Sequence, residues 1–377
     1  MKIAEIRCYR LDAPLQQPFA YSQGWFERRG ALLVEAIADD GTAGWGECFG
    51  PMTRAMEGAV DFLKPALIGR DPFAIEALWQ DMYNRTRDHG RKGIAVEAIS
   101  GIDIALWDLK GKALGLPVHR LLGGPIRTEL QAYATGFYRT RAPGERELLV
   151  AEAERHVADG FRAFKLKLGF GVEDDVALCA AVRAKVGDRI AIMVDANHAY
   201  DAAAAIRLTR AIEPLDIGWF EEPVPPEDIE GYKRLKAATA IPIAGGEAEF
   251  TRWGFRRLLA ERAIDVAQPD TCGVGGISEC KKVADMAAAF GVRCIPHCWG
   301  TGVAVAAALQ VLAVIPHTPP GLHPVEPLLE FDRSEHPYRM AILTRPIAPR
   351  DGRVAVPDVP GLGIEIDRAT LERYRVG

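Results

Sequence analysis

Three things are missing from this sequence: a long block of like charge, a low-complexity stretch and any paired CxxC spacing. The first absence, with a formal charge of only -5, removes any broad electrostatic attraction to nucleic acid or an anionic membrane surface, so an anionic ligand must be captured locally. The second leaves no free linker. The third matters because Cys8, Cys48, Cys179, Cys272, Cys280, Cys294 and Cys298 are odd in number and scattered, which reads as reduced, buried thiols. A secretory signal is missing too. The opening MKIAEIRCYRLDAPL has no apolar core followed by a small-residue cleavage site, and a cytoplasmic location is the expectation.

What is present is the make-up of an ordinary soluble globular protein, 49% apolar and 26% charged over 377 residues, enough for one barrel plus an accessory domain. Residues 1–128 begin with strand-like alternation in KIAEIRCYRL and a strand pair in ALLVEAIADDGTAGWGEC around an Asp-Gly turn. A helix follows in AVEAISGIDIALWDLKGKALG, where Ile99, Ile102, Ala105, Leu106 and Leu109 recur at helical spacing and Gly115 is the stop. Strands followed by helices predict an α+β domain.

From about residue 129 to 325 the pattern becomes short apolar runs alternating with helical segments, the rhythm of βα units closing into a barrel. The runs are ELQAYATG, FRAFKLKLG, RIAIMVDAN, DIGWFEEP, IPIAGGE, AIDVAQPD and VRCIPHC, with HPVEPLLEFD as an eighth. Residues 326–377, rich in Pro and Gly, complete the barrel and return to the first domain.

The acids carry the most information. Asp195, Glu221 and Glu247 each close an apolar run, at successive intervals of 26 residues, which puts three carboxylates at the C-terminal face where barrel enzymes build active sites. Three converging carboxylates repel unless a cation sits between them, and oxygen-only ligands suit Mg²⁺. The plainer alternative is that each acid caps the following helix. One strand earlier, Phe164-Lys165-Leu166-Lys167-Leu168 alternates, so both lysines share a face. Two adjacent ammonium groups lower a lysine pKa toward the range useful for a base, unless the strand is merely a solvated edge. Asp270 ends AIDVAQPD and His297 ends VRCIPH, so a carboxylate beside an imidazole makes a second acid/base opposite Lys167.

At FKLKLG, VDANHAY, WFEEP, AGGE, QPD and PHCWG the sequence resembles the enolase superfamily, specifically its mandelate racemase subgroup, over essentially its full length. The resemblance implies a modified (β/α)₇β barrel, similar to a TIM barrel, under an α+β capping domain formed by the N-terminal region and the C-terminal tail. It implies Mg²⁺ held by Asp195, Glu221 and Glu247, with Lys165, Lys167, Asp270 and His297 as catalytic groups and Asn197 as a polar neighbour. A Lys or His base, with Mg²⁺ stabilising an enediolate, is the established chemistry of this superfamily. On the eighth strand the resemblance implies an acid toward the substrate carboxylate, either Glu330 in LLEFD or Glu326 in HPVEP. Muconate-lactonizing and dipeptide-epimerase branches carry a lysine where this chain has Asp270.

Within the subgroup, GIDIALWDLKGK, PHCWGTGVAVAAALQ, VEPLLEFDR and PGLGIEI resemble sugar-lactone cycloisomerases, which implies a lyase or isomerase opening a lactone by β-elimination. Acid-sugar dehydration or epimerisation shares the first step. A non-catalytic metal-binding protein does not need KxK, three acids and an Asp/His pair at consecutive strand ends. The expected partner is a small acid-sugar or lactone substrate, with no nucleic acid or membrane, and the chain is expected to be a homo-oligomer, dimer to octamer. Substrate selection falls to loops at Tyr21 to Arg29, Phe49 to Arg54 and RDHGRKG, where Arg28, Arg29 and Arg54 could grip a distal carboxylate bidentately.

Overall fold

Period-two alternation at the start of the chain becomes a three-stranded antiparallel sheet in the computed structural model, which describes residues 1–377. Its strands are β1 (Ile3–Tyr21), β2 (Gly24–Ala38) and β3 (Ala43–Cys48). Four helices follow: α1 (Thr53–Leu63), α2 (Ile75–Thr86), α3 (Ile94–Leu114) and α4 (Val118–Leu121). Gly115 ends α3 in the left-handed conformation, which lets its N–H reach back to the carbonyls of Gly111 and Lys112. The apolar stripe of α3 lies directly on β3. A Cβ at Gly46 would collide with the Gly101 carbonyl oxygen, so this close approach requires glycine.

Seven βα units come next: β4 (Glu129–Thr135) and α5 (Glu145–Ala158), β5 (Ala163–Lys167) and α6 (Val172–Val186), β6 (Ala191–Asp195) and α7 (Ala202–Ile212), β7 (Ile217–Glu221) and α8 (Ile229–Ala238). They continue with β8 (Ile243–Gly245) and α9 (Thr251–Ala260), β9 (Val266–Ala267) and α10 (Gly276–Ala289), β10 (Arg293–Cys294) and α11 (Gly302–Leu312), and finish on β11 (Leu329–Asp332). Parallel pairing runs in the order β10-β9-β8-β7-β6-β5-β4-β11. This is the (β/α)₇β barrel of an α/β protein. No ladder joins β10 to β11, since β10 is only two residues long and Pro296, just beyond it, has no N–H to donate. The Cys298 N–H spans the seam instead, donating to Glu330 Oε2 at 3.1 Å.

The last segment carries β12 (Arg353–Ala355), antiparallel to the start of β4, and α12 (Arg368–Tyr374). It reaches the first sheet as well: Tyr338 donates its hydroxyl to the Arg29 carbonyl at 2.9 Å, and Leu11 bridges Arg375. No helix is long and apolar enough to cross a membrane. The seven cysteines are all unpaired, and only Cys8 is not fully buried.

Strand alternation sorts side chains into tiers inside the barrel. Tyr133, Ala163, Met193, Trp219, Ala244, Val266 and Ile295 form a dry floor. Two residues along on the same face come Thr135, Lys165, Asp195, Glu221, Gln268 and His297, a polar tier at the C-terminal end. Phe164, Leu166 and Leu168, on the opposite face of β5, pack outward into the main core.

Candidate active site

Asp195 and Glu221 sit on the last residues of β6 and β7, where register places them side by side. Glu247 lies two residues past β8, and Gly246 at φ 127° turns the chain so that Glu247 breaks the alternation. One carboxylate oxygen from each lies within 4.8 Å of the others. All donors are hard oxygens, and Glu247 Oε2 is buried with no well-aligned hydrogen bond, so the residues fit a hard divalent cation.

Lysines neutralise the cluster from β5. Lys167 Nζ donates to Asp195 Oδ2 at 2.6 Å and to Asn197 Oδ1 at 3.0 Å. Lys165 Nζ is 2.5 Å from Glu221 Oε1, 2.8 Å from Glu330 Oε1 and 3.7 Å from Asp195 Oδ2. The expectation of a depressed lysine pKa is therefore corrected. Burial does push both ammonium groups down, but Glu221 and Glu330 around Lys165, and Asp195 beside Lys167, outweigh it and hold both above the usual lysine range. Burial raises Glu221, helped by Asp195, Glu330 and Glu247 and opposed by Lys165. For Asp195, burial is outweighed by the two lysines, and its pKa falls.

Across the cavity, His297 Nδ1 is 2.7 Å from Asp270 Oδ2, while the Cys272 N–H donates to Asp270 Oδ1 at 2.7 Å. With His297 Nδ1–H donating to Asp270, Nε2 is left toward the cavity, 3.1 Å from Glu247 Oε2. Burial alone depresses the ring, but Glu247, Glu330 and Asp270 outweigh it and push its pKa up to about 10. Lys167, Asn197, Glu247 and His297 line one cavity of about 280 Å³, room enough for a small sugar. Lys165, Asp195, Glu221 and Glu330 lie beneath it, fully or almost fully buried.

Three residues singled out from the sequence lie elsewhere. Glu326 precedes β11 and meets Arg353 at 3.3 Å beside the start of β10, at the opposite end of the barrel from the acids; Glu330 alone reaches Lys165. Arg28 pairs with Asp12 at 2.8 Å; with Arg54 it lines an outer groove near Val376 and Gly377, and with Arg29 it also borders a small pocket behind Phe26, Phe49 and Trp299, next to the cavity rather than in it. The stretch Tyr21 to Arg29 is mostly strand rather than loop, and alternation along β2 sends Arg28 outward and Arg29 inward. Arg29 is buried, with its guanidinium 3.8 Å over the Trp299 ring and 3.3 Å from Asp332. Lys92 of RDHGRKG pairs with Glu249.

Several contributors escaped the sequence reading. Trp219 Nε1 and Gln268 Nε2 donate to Glu221 Oε2 at 3.0 and 2.6 Å, and Thr135 donates to Glu330 at 2.6 Å. Gln268 was accessible, because it stands two residues before Asp270 and so shares its face. His198 was not. Asn197, His198 and Glu222 all take positive φ, and this turn sets His198 on the cavity wall with Nδ1 2.9 Å from Glu222 Oε2. From the cap, Ser22 donates to the Ala196 carbonyl at 2.7 Å and Gln23 to that of Asn197 at 2.8 Å, closing the hairpin turn over this wall.

The family model described as mandelate racemase / muconate lactonizing enzyme, N-terminal domain, matches residues 4–123, and the one described as enolase C-terminal domain-like matches residues 148–370. D-galactarolactone cycloisomerase of Agrobacterium fabrum is 45% identical over 100% of this chain and 99% of its own. The crystal structure of 3,6-anhydro-D-galactonate cycloisomerase from Zobellia galactanivorans superposes with a TM-score of 0.91 at 41% identity, covering 100% of both chains. A racemase from Streptomyces coelicolor with bound magnesium has a TM-score of 0.88 at 31% identity, covering 99% of this chain and 100% of its own.

Proposed function

The chain belongs to the mandelate racemase and muconate lactonizing enzyme family of the enolase superfamily, and from that membership we propose that it opens an acid-sugar lactone by Mg²⁺-dependent abstraction of the proton next to a carboxylate. The observation that carries this reading is the placement of Lys167 and His297 on one cavity with Glu247, directly above Asp195 and Glu221. Asp195, Glu221 and Glu247 would hold the Mg²⁺. When bound, it supplies the Lewis-acid charge that stabilises an enediolate and shares the counter-ion role now filled by the lysines. Magnesium in the racemase of the same fold supports this choice.

The protein's own groups then have defined tasks. Lys165 Nζ, fixed by Glu221 and Glu330, presents positive charge to the substrate carboxylate. Lys167 Nζ or His297 Nε2, in its unprotonated form once Mg²⁺ takes over the negative charge of Asp195, Glu221 and Glu247, would receive the α-proton, and whichever does not is placed to deliver a proton from the other side. Asp270 orients His297, and Asn197 holds Lys167 in place. The C–H bond breaks, its electron pair enters the enediolate, and collapse breaks the β C–O bond so that the lactone ring oxygen leaves as a carboxylate. Protonation at the former β carbon gives the linear keto-diacid. Composition is unchanged, so neither water nor a redox partner is consumed. The same reading carries a homo-oligomer, dimer to octamer, in the cytoplasm, where unpaired thiols stay reduced; light scattering checks the assembly.

Purified D-galactaro-1,4-lactone and open galactarate, supplied separately with Mg²⁺ and followed by NMR, test the proposal. Lactone turnover that is lost on chelation is expected. Rapid turnover of the open acid with an inert lactone overturns the ring-opening assignment.

A further inference from the structure

Lys167, His297 and the metal acids account for forming the enediolate, but departure of the β oxygen is left with no protein group. Resting on the proposed function, we infer that His198 is a further catalytic residue, whose imidazole donates a hydrogen bond from Nε2 to the β oxygen as it leaves. Three cationic side chains line the cavity, and each is backed by a carboxylate: Lys167 by Asp195, His297 by Asp270 and His198 by Glu222. The first two are the proton-moving pair. His198 stands apart from them, and Glu222 is buried outside the three converging acids. With Nδ1 2.9 Å from Glu222 Oε2, Nε2 has no partner within the protein, and the side chain is 27% exposed, so this nitrogen is open to a ligand.

Burial lowers the ring's pKa, but the Glu222 carboxylate, helped by Glu247 and Asp195, outweighs it and holds the ring above the usual histidine value. Mg²⁺ would compensate Glu247 and Asp195 but not Glu222, so the imidazolium, with a hydrogen on Nε2, keeps its support. The backbone holds this ring in place against conformational preference. Asn197, His198 and Glu222 take φ of 42°, 56° and 40°, the left-handed region that side chains disfavour. The His198 N–H already donates to the Glu222 carbonyl at 2.7 Å, so joining the two strand ends does not need the side-chain pair as well. As the lactone opens, the β C–O electron pair goes to the ring oxygen, which becomes a carboxylate oxygen. The Nε2 hydrogen bond stabilises that growing charge, and the proton stays on nitrogen. A leaving hydroxyl of an open acid sugar instead takes the Nε2 proton and departs as water, and solvent returns the proton.

His198→Asn removes the imidazole with a residue that tolerates the left-handed conformation. With Mg²⁺ in D₂O, NMR reads two rates on D-galactaro-1,4-lactone and, separately, on galactarate: deuterium entering the α position of unreacted substrate, and appearance of the keto-diacid. Both scale with the amount of folded protein, so their ratio is independent of it. Relative to exchange, elimination in the variant is expected to be at least about tenfold slower than in the wild type. His198→Gln, whose amide can still donate, is expected to recover part of that loss. An unchanged ratio, whether or not both rates fall, overturns the inference and leaves the ring-opening assignment standing. A lactone inert in the wild type, with the altered ratio present on galactarate, overturns ring opening alone. If the wild type exchanges the α-proton of neither substrate, both fall.

Discussion

Two groups of buried carboxylates in this protein look alike by residue type and burial, yet differ in what surrounds them. At the seam between cap and barrel, Glu47 accepts from the Thr301 N–H at 2.9 Å, the Ala304 N–H at 3.0 Å and the Thr301 hydroxyl at 2.6 Å, capping α11. Asp103 accepts from the Ser278 N–H and hydroxyl at the start of α10. Asp108 takes the Trp45 and Leu362 N–H groups and the Lys112 ammonium. Each seam acid has donors fixed in the backbone. At the barrel mouth, Asp195, Glu221 and Glu247 crowd within 4.8 Å of one another and depend mainly on side chains for their donors. Fixed, private donors make an acid a structural clamp. Shared, exchangeable ones leave it free to take a cation.

That contrast predicts mutations whose effects fall on different observables. The largest effect is expected at the mouth: in the Mg²⁺-loaded protein, where the cation compensates Asp195, Lys167→Ala should lower turnover of an authentic substrate by roughly 10²–10⁴-fold, as loss of a general base does, with little change in melting temperature. A matching loss of folded structure by circular dichroism would erase the distinction. Chelation comes next, abolishing activity reversibly until Mg²⁺ is restored. In thermal shift assays, added Mg²⁺ should stabilise the wild type and not Glu247→Gln.

At the seam the same kind of change should act on stability. Asp108→Ala leaves two buried N–H groups and an ammonium without their acceptor, an expected cost of about 2–4 kcal/mol in urea unfolding. Unchanged unfolding would mean that water replaces the carboxylate.

The subtlest test uses pH. Burial raises Asp103 to about 7, with the Ser278 hydrogen bonds opposing the shift. A carboxyl raised in the fold holds its proton there more tightly than in the unfolded chain. Its favourable contribution is therefore full below the unfolded value near 4 and is lost as pH rises from there to about 7. Asp103→Asn should flatten that part of a melting-temperature profile. A steeper profile in the variant would place the proton elsewhere.

Legibility in the sequence divides along similar lines. Asp195, Glu221 and the lysine pair were readable because alternation and the βα interval are local rules: a residue's face follows from its position along its own strand. Gly115 and the α3 stripe were readable for the same reason. Glu326 and Glu330 could not be separated, since both lie in or beside one apolar run and only the onset of pairing at Leu329 shows which one enters the barrel. Arg28 and Arg54 looked suited to grip a carboxylate until the hairpin turned one outward and α1 carried the other into the outer groove.

What the sequence determined by itself was the set of chemical groups and the strand ends that carry them, because hydrophobic periodicity is imprinted residue by residue. Tertiary structure alone decided which groups share a cavity and that the acids around the lysines favour their ammonium form. Those properties depend on distances between residues far apart in the chain. Charge interactions follow such distances and the local burial, neither of which is encoded in the spacing of residues along one segment.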